Sequence, residues 1–300
     1  MSLASSSPQT IASPDAGAAR GFDFGFAWYR VRHSPLTLVG LAIFVLVGSV
    51  IAFAPLLAPY PPDAVDLAQR LLPPSQAHWF GTDEVGRDLL SRVIFGARTS
   101  CGAGFGIVLI AAVGGLVLGC FAGLAGGMVD NLIMRLMDVM LALPTLVLAL
   151  ALAAALGPSL VNALLAVAVV RLPAYVRFSR AQTLTLRHRN YVSVSRTFGA
   201  GSAHILRWHI LPNALSPILV QATLDLGGTI LVAAALSFIG LGAQPPTAEW
   251  GAMVSTGRNF LLDQWWYATF PGLAILITAM GCNLLGDGLR DLLDPRLGPR

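Results

Sequence analysis

The chain reads as an all-α, polytopic membrane protein with six transmembrane helices. Three observations predict this. Hydrophobic residues make up 55% of the 300 positions and charged residues only 11%, whereas soluble domains carry about 25% charged residues. The apolar residues gather into six runs, each near the roughly 20 residues that a helix needs to cross a bilayer. The 19 basic side chains are all arginine, and they are concentrated in alternate connections between those runs.

The elements follow in order. Residues 1–35 form an N-terminal segment whose first twenty positions are rich in Ser, Ala and Pro. Disorder is expected there, and no basic stretch precedes an early apolar core as it would in a signal peptide. The first span is expected at 36–58. The connection 59–100 begins with a Pro-rich, irregular stretch at 60–74, and Gly81 and Gly86 mark turns. From Asp88 onward, Leu89, Leu90, Val93 and Ile94 follow helical spacing with Arg92 on another face. That pattern predicts an amphipathic helix lying in the interface ahead of the second span.

A five-helix core is expected over 101–289. Its first member, 101–125, carries glycines 102, 104, 106, 114, 115, 119 and 123, which allow close helix packing. Further spans are expected at 132–156, 160–178, 214–241 and 268–289, leaving a tail at 290–300. With the N-terminus inside, thirteen arginines fall on the cytoplasmic side and five outside, and Arg171 lies within a span. The bias puts both termini in the cytoplasm.

The polar interval 178–213 is the one long basic gap between spans. With Arg177 at its edge it holds Arg180, Arg187, Arg189, Arg196 and Arg207 and no acidic residue. It is long enough for two short helices, with Gly199 as the break and Pro212 as the end of the second. A folded basic loop kept beside the inner leaflet suits a soluble protein partner. Membrane lipid is the other expected contact, and nucleic acid is a poor explanation for a net charge of only +4.

Catalytic constellations are missing. His204 and His209 lack the Glu of an HExxH site, no Walker A lysine exists, and no GxSxG elbow occurs. Cys101, Cys120 and Cys282 sit in apolar runs without metal-ligand spacing. No metal site, cofactor or enzymatic activity is therefore expected in the chain. Asp138, Arg171 and Asp225 fall within spans, where charge is costly and often functional. Asp225 either faces a substrate path, meeting a peptide's amino group, or makes a structural contact such as an ion pair with Arg171.

Several motifs carry a family resemblance. Tyr191, Val192, Ser193, Val194, Ser195, Arg196, Thr197, Phe198, Gly199 and Ala200, followed after Arg207 by His209, Ile210, Leu211, Pro212 and Asn213, resemble the cytoplasmic signature loop of ABC importer permeases. Gly199, Leu211 and Pro212 match that loop; Ser193 stands at its acidic position, and Val194 and Ser195 stand at its two alanines. The segment 81–92, Gly-Thr-Asp-Glu-Val-Gly-Arg-Asp-Leu-Leu-Ser-Arg, resembles the subgroup that imports dipeptides, oligopeptides and nickel. So do 235–251, ending in Glu249-Trp250-Gly251, and 283–296. The resemblance spans about 36–296.

It implies the type I ABC importer permease fold and a transport subunit of the bacterial inner membrane. It implies a second homologous permease, one or two ABC ATPase subunits that bind ATP and Mg, and a periplasmic substrate-binding protein. The signature loop would dock the ATPase. Asp83, Gly86, Arg87, Asp88, Arg92, Glu249 and Trp250 would face the binding protein. The cargo implied is a di- or oligopeptide moved by alternating access, with nickel or glutathione as alternatives. An ATPase-independent transporter or channel is the competing class; it would show charged spans or an inverted repeat, and no convincing repeat is visible.

Overall fold

A computed structural model describes residue 32 and residues 34–293. The expectations of a disordered N-terminal segment and of a tail beyond 293 lie outside the described residues. Within them the chain is helical, and the one extended pairing is an isolated bridge between Thr82 and Asp88.

The first helix, α1 (Pro35–Leu57), starts at the Ser34 cap with proline in its first turn, where a missing N–H costs nothing. Pro55 leaves the Ile51 carbonyl without its helical donor. Arg98 from the next helix supplies one: its Nε donates to Ile51 O at 2.7 Å and a terminal nitrogen to Ala52 O at 3.1 Å. The second helix, α2 (Leu89–Ala125), is capped by Asp88 and runs unbroken for 37 residues. The expected interfacial helix therefore does not exist as a separate element. Its apolar positions Leu89, Ile94 and Ala97 are buried in protein rather than laid on lipid, so they extend the span outward.

The third expected span is also corrected. It is two helices, α3 (Gly127–Leu141) and α4 (Thr145–Leu156), bent by 94° at their junction. Pro144 sits at the start of α4 and disfavours helical conformation in the residue before it. Helix α5 (Leu160–Leu186) runs two turns past the expected limit of 178. Two short helices follow, α6 (Asn190–Thr197) and α7 (Ser202–Ile205), and then a π-helical turn (Leu206–Ile210) leads into α8 (Leu211–Phe238). Pro212 does not end the second loop helix. It lies in the first turn of α8, and the preceding π turn absorbs its missing donor. Helix α9 (Trp250–Gly257) and α10 (Trp265–Leu293) complete the chain.

Helices α1, α2, α5 and α10 and the segment 202–238 are each long and apolar enough to cross a membrane, and the bent pair α3–α4 supplies the sixth crossing. The basic end of the bundle carries 187–210; the opposite end carries 58–88 and 239–264.

Helices α2 and α5 approach each other closely. Gly115, Gly119 and Gly123 recur every four residues along one face of α2. A β-carbon on any of them would come within 3.0 Å of Tyr175, Val176, Ser179 or Thr183 on α5. Small residues at this spacing let backbones touch, which is how helices gain dispersion contact in lipid. By contrast, Gly102 has open space before it.

Replacing Gly119 with Leu should therefore cost about 2 kcal/mol or more through overpacking, seen as reduced membrane protein and a lower melting temperature in detergent. Gly102→Ala should leave both unchanged.

Candidate functional site

At the opposite end, a closed polar network folds the connection between α1 and α2. Asp83 Oδ1 accepts from the backbone N–H of Val85 at 3.0 Å and of Arg87 at 2.9 Å, an Asx-type turn. Its Oδ2 takes the Arg87 Nε at 2.6 Å. Gly86 adopts φ +80°, and a side chain there would collide with the Asp66 carbonyl. Asp88 accepts from Ser91 N and Oγ at 2.8 and 2.7 Å, capping α2, and its other oxygen meets His78 Nδ1 at 2.9 Å.

Arg92 reaches two other segments. Its guanidinium donates to Pro62 O at 3.0 Å, Asp63 at 3.3 Å and Pro246 O at 3.3 Å. Glu249 caps α9 through Gly251 N and Ala252 N and receives Ser100 Oγ at 3.0 Å. The indole of Trp250 donates to Val93 O at 2.9 Å. Glu84 receives the Tyr267 hydroxyl.

The residues expected to face a binding protein have structural roles in this network. Asp83, Gly86, Arg87, Asp88, Arg92, Glu249 and Trp250 are all buried within the chain itself. Their charges are satisfied by one another and by backbone carbonyls. They build the cap of the bundle opposite the basic end, and what they leave on the surface is the loop they shape.

The basic end is arranged differently. Val192, Ile205 and Ile210 are fully buried and pack with Val108, Leu116, Tyr175 and Ile218, fixing the loop to α2, α5 and α8. Helix α6 ends in a Schellman turn: Gly199 N bonds Arg196 O at 2.9 Å and Ala200 N bonds Ser195 O at 3.1 Å, with Gly199 at φ +82°. Gly199 is thus the expected break. A side chain there meets open space, so its constraint is conformational rather than steric.

Around this frame the loop exposes apolar surface. Phe198 is 85% exposed and Val194 54%, and Tyr191 is also exposed. Ser193, Arg196, Arg207 and Pro212 point outward as well, while Ala200 and Leu211 pack inward. Ser195 Oγ bonds His209 Nε2 at 3.1 Å, bridging the two halves of the loop. Sequence reasoning missed Trp208, 62% exposed with Arg207 stacked on its ring. An aromatic between Arg207 and His209 in a polar segment was the available signal.

The loop arginines divide into two sets. Arg180 forms a bidentate pair with Asp130 at 2.5 and 2.6 Å, Arg177 pairs with Asp138, and Arg187 donates to Gly123 O at 3.0 Å. These three lock α5 to the ends of α2 and α3. Arg189, Arg196 and Arg207 remain exposed.

Midway along the bundle, Asp225 on α8 pairs with Arg171 on α5 at 3.0 Å. The Tyr175 hydroxyl donates to its second oxygen at 3.3 Å. The ion-pair alternative for Asp225 is therefore formed. Tyr175 was also missed, although it lies one helical turn beyond Arg171 on the same face.

A bundle of membrane-length helices with a sealed cap at one end and a rigid, apolar-faced basic loop at the other is the architecture of a polytopic permease. The family model for the inner membrane component of binding-protein-dependent transport systems matches residues 115–299. The model for the N-terminal transmembrane domain of oligopeptide transport permease C matches 25–74. The chain belongs to the family of binding-protein-dependent transport system inner membrane components. It is 58% identical to a protein named a probable D,D-dipeptide transport system permease of Escherichia coli (strain K12), over 90% of this chain and 91% of the relative. It is 48% identical to a di/tripeptide transport system permease of Pseudomonas aeruginosa (strain UCBPP-PA14), over 90% and 91%. It is 44% identical to a dipeptide transport system permease of Haemophilus influenzae, over 90% and 94%.

Because Asp83 holds two buried arginines, Asp83→Asn should cost about 3 kcal/mol by leaving charge uncompensated. Chemical unfolding in detergent measures this. Gly199→Ala should cost only about 1 kcal/mol of local strain, with protein level unchanged.

Proposed function

We propose that the chain is the permease subunit of an ABC importer that moves short peptides across the inner membrane, with both termini in the cytoplasm. Residues 187–210 would be its coupling element. The observation that carries this reading is the two-sided build of that loop. Its inner side is pinned to three spans by Val192, Ile205 and Ile210, and its outer side offers Tyr191, Val194, Phe198 and Trp208. A partner seated on such a surface moves the bundle with it, because the loop has no slack.

In this mechanism ATP, with Mg on the partner chains, closes two ATPase subunits. Their closure drags α6 and α7, tilts this chain against a second related permease, and opens the path outward to the substrate-binding protein. Hydrolysis restores the inward state. The excess of arginine at the basic end supports placing that end in the cytoplasm. The named cargoes of the relatives, dipeptides and tripeptides, support a peptide substrate. The binding protein would meet the surface of the outer cap rather than the buried side chains that fold it.

Phe198→Asp tests the coupling role. A charge on an apolar contact at the centre of an interface typically costs about 2 kcal/mol or more. Peptide uptake and binding-protein-stimulated ATPase activity should both fall, with membrane insertion and thermal stability intact. Normal uptake in that variant would sink the assignment.

A further inference from the structure

Arg171 and Asp225 differ in position from the other charged pairs among the described residues. The other charges on the membrane-length helices lie within about two and a half turns of a helix end. These two lie near the middle of α5 and α8, where a charge is costly unless it meets a partner or a polar path. The chain shows what a purely structural pair looks like: Asp130 and Arg180 meet through two short, parallel hydrogen bonds. Arg171 and Asp225 meet through a single ionic contact at 3.0 Å, although their side chains are about as open to the surface (23% and 16%) as those of that pair (31% and 11%). Arg171 Nε is buried and finds no acceptor, although a buried polar atom is ordinarily satisfied.

The surroundings hold this open geometry in place. Tyr175 is 1% exposed, its stem lies against Gly115, and its hydroxyl orients Asp225. On α8, Gly228 presents no side chain beneath the guanidinium; a β-carbon there would lie 3.5 Å from the terminal nitrogen. The result is one cation with a buried, unpaired Nε and one anion, their side chains partly open at the surface of the chain.

We propose that Arg171 and Asp225 form an exchangeable ion pair that receives the two charged ends of a short peptide midway through the membrane. The inference rests on the reading of the cargo as a peptide. The peptide carboxylate takes the terminal nitrogens of Arg171, and the peptide ammonium takes Asp225. One ion pair becomes two, so neither protein charge is left bare in the apolar interior before, during or after passage. The pair closes on itself when no cargo is present.

The test uses the whole importer in proteoliposomes with its loaded binding protein, comparing wild type, Arg171→Gln, Asp225→Asn and the double variant. Labelled dipeptide uptake and ATP hydrolysis are read together. Each single variant is expected to lose stability, since one charge is left unpaired. The double variant removes both charges and should recover assembly and stimulated ATPase activity. Its uptake per ATP should stay down about tenfold or more, because two charged contacts to cargo are gone. Wild-type uptake per ATP in the double variant would overturn the proposal and leave a structural pair.

A second measurement needs no variant. A photoreactive dipeptide trapped in the wild-type complex should label α5 and α8 beside Arg171 and Asp225; label confined to other helices would overturn the proposal. Failure of the peptide reading itself looks different: the wild-type importer then hydrolyses ATP with its binding protein yet takes up no dipeptide.

Discussion

The backbone contact between α2 and α5 is the constraint on which the rest of the molecule depends. Helices in a bilayer gain nothing from hiding apolar surface, because lipid is as apolar as leucine. They associate by touching closely, and Gly115, Gly119 and Gly123 let α5 sit against the backbone of α2. That contact fixes Tyr175, which orients Asp225. It places Arg187 over the last turn of α2, where it meets the Gly123 carbonyl and the negative end of the helix dipole. The basic loop leaves directly from this junction. The loop therefore inherits its position from three glycines, the nearest of them, Gly123, being 64 residues before Arg187 in the chain and in contact with it.

Charge is used in three ways along the axis. At the cap opposite the basic end it is sealed: Asp83 is buried with Arg87 and Arg92, and Asp88 is buried against His78 and Ser91. Near the basic end it ties helices together through Asp130 and Arg180. On the loop it is left free beside exposed aromatic residues, as at Arg196, Arg207 and Trp208. Burying charge is costly unless it is paired and hydrogen-bonded. The first two uses meet that requirement within the chain, while the third leaves charge available to a partner.

Much of this was legible in the sequence. Hydropathy located the spans, because only a helix satisfies its backbone in lipid. Gly199 as a helix break followed from its freedom to take positive φ, and the glycine-dense face of α2 followed from its spacing. Three features were not legible. The continuity of α2 through Leu89 depends on burial against α9 and α10, which a helical spacing alone cannot distinguish from burial in the interface. The 94° bend before Thr145 left no interruption in apolarity apart from Pro144. The burial of Arg87, Arg92 and Glu249 was not legible for a related reason: polar residues in a connection read as exposed until the partners that bury them are known. Trp250 and Ser100, which close over Glu249, lie on different elements.

Site-specific photo-crosslinking from position 198 in native membranes tests the central claim most directly, since Phe198 is the most exposed aromatic residue on the loop. The account predicts a single major adduct with a nucleotide-binding subunit, formed from the cytoplasmic side and sensitive to ATP. An adduct only with lipid, or with a protein on the outer side of the membrane, would contradict both the orientation and the coupling role.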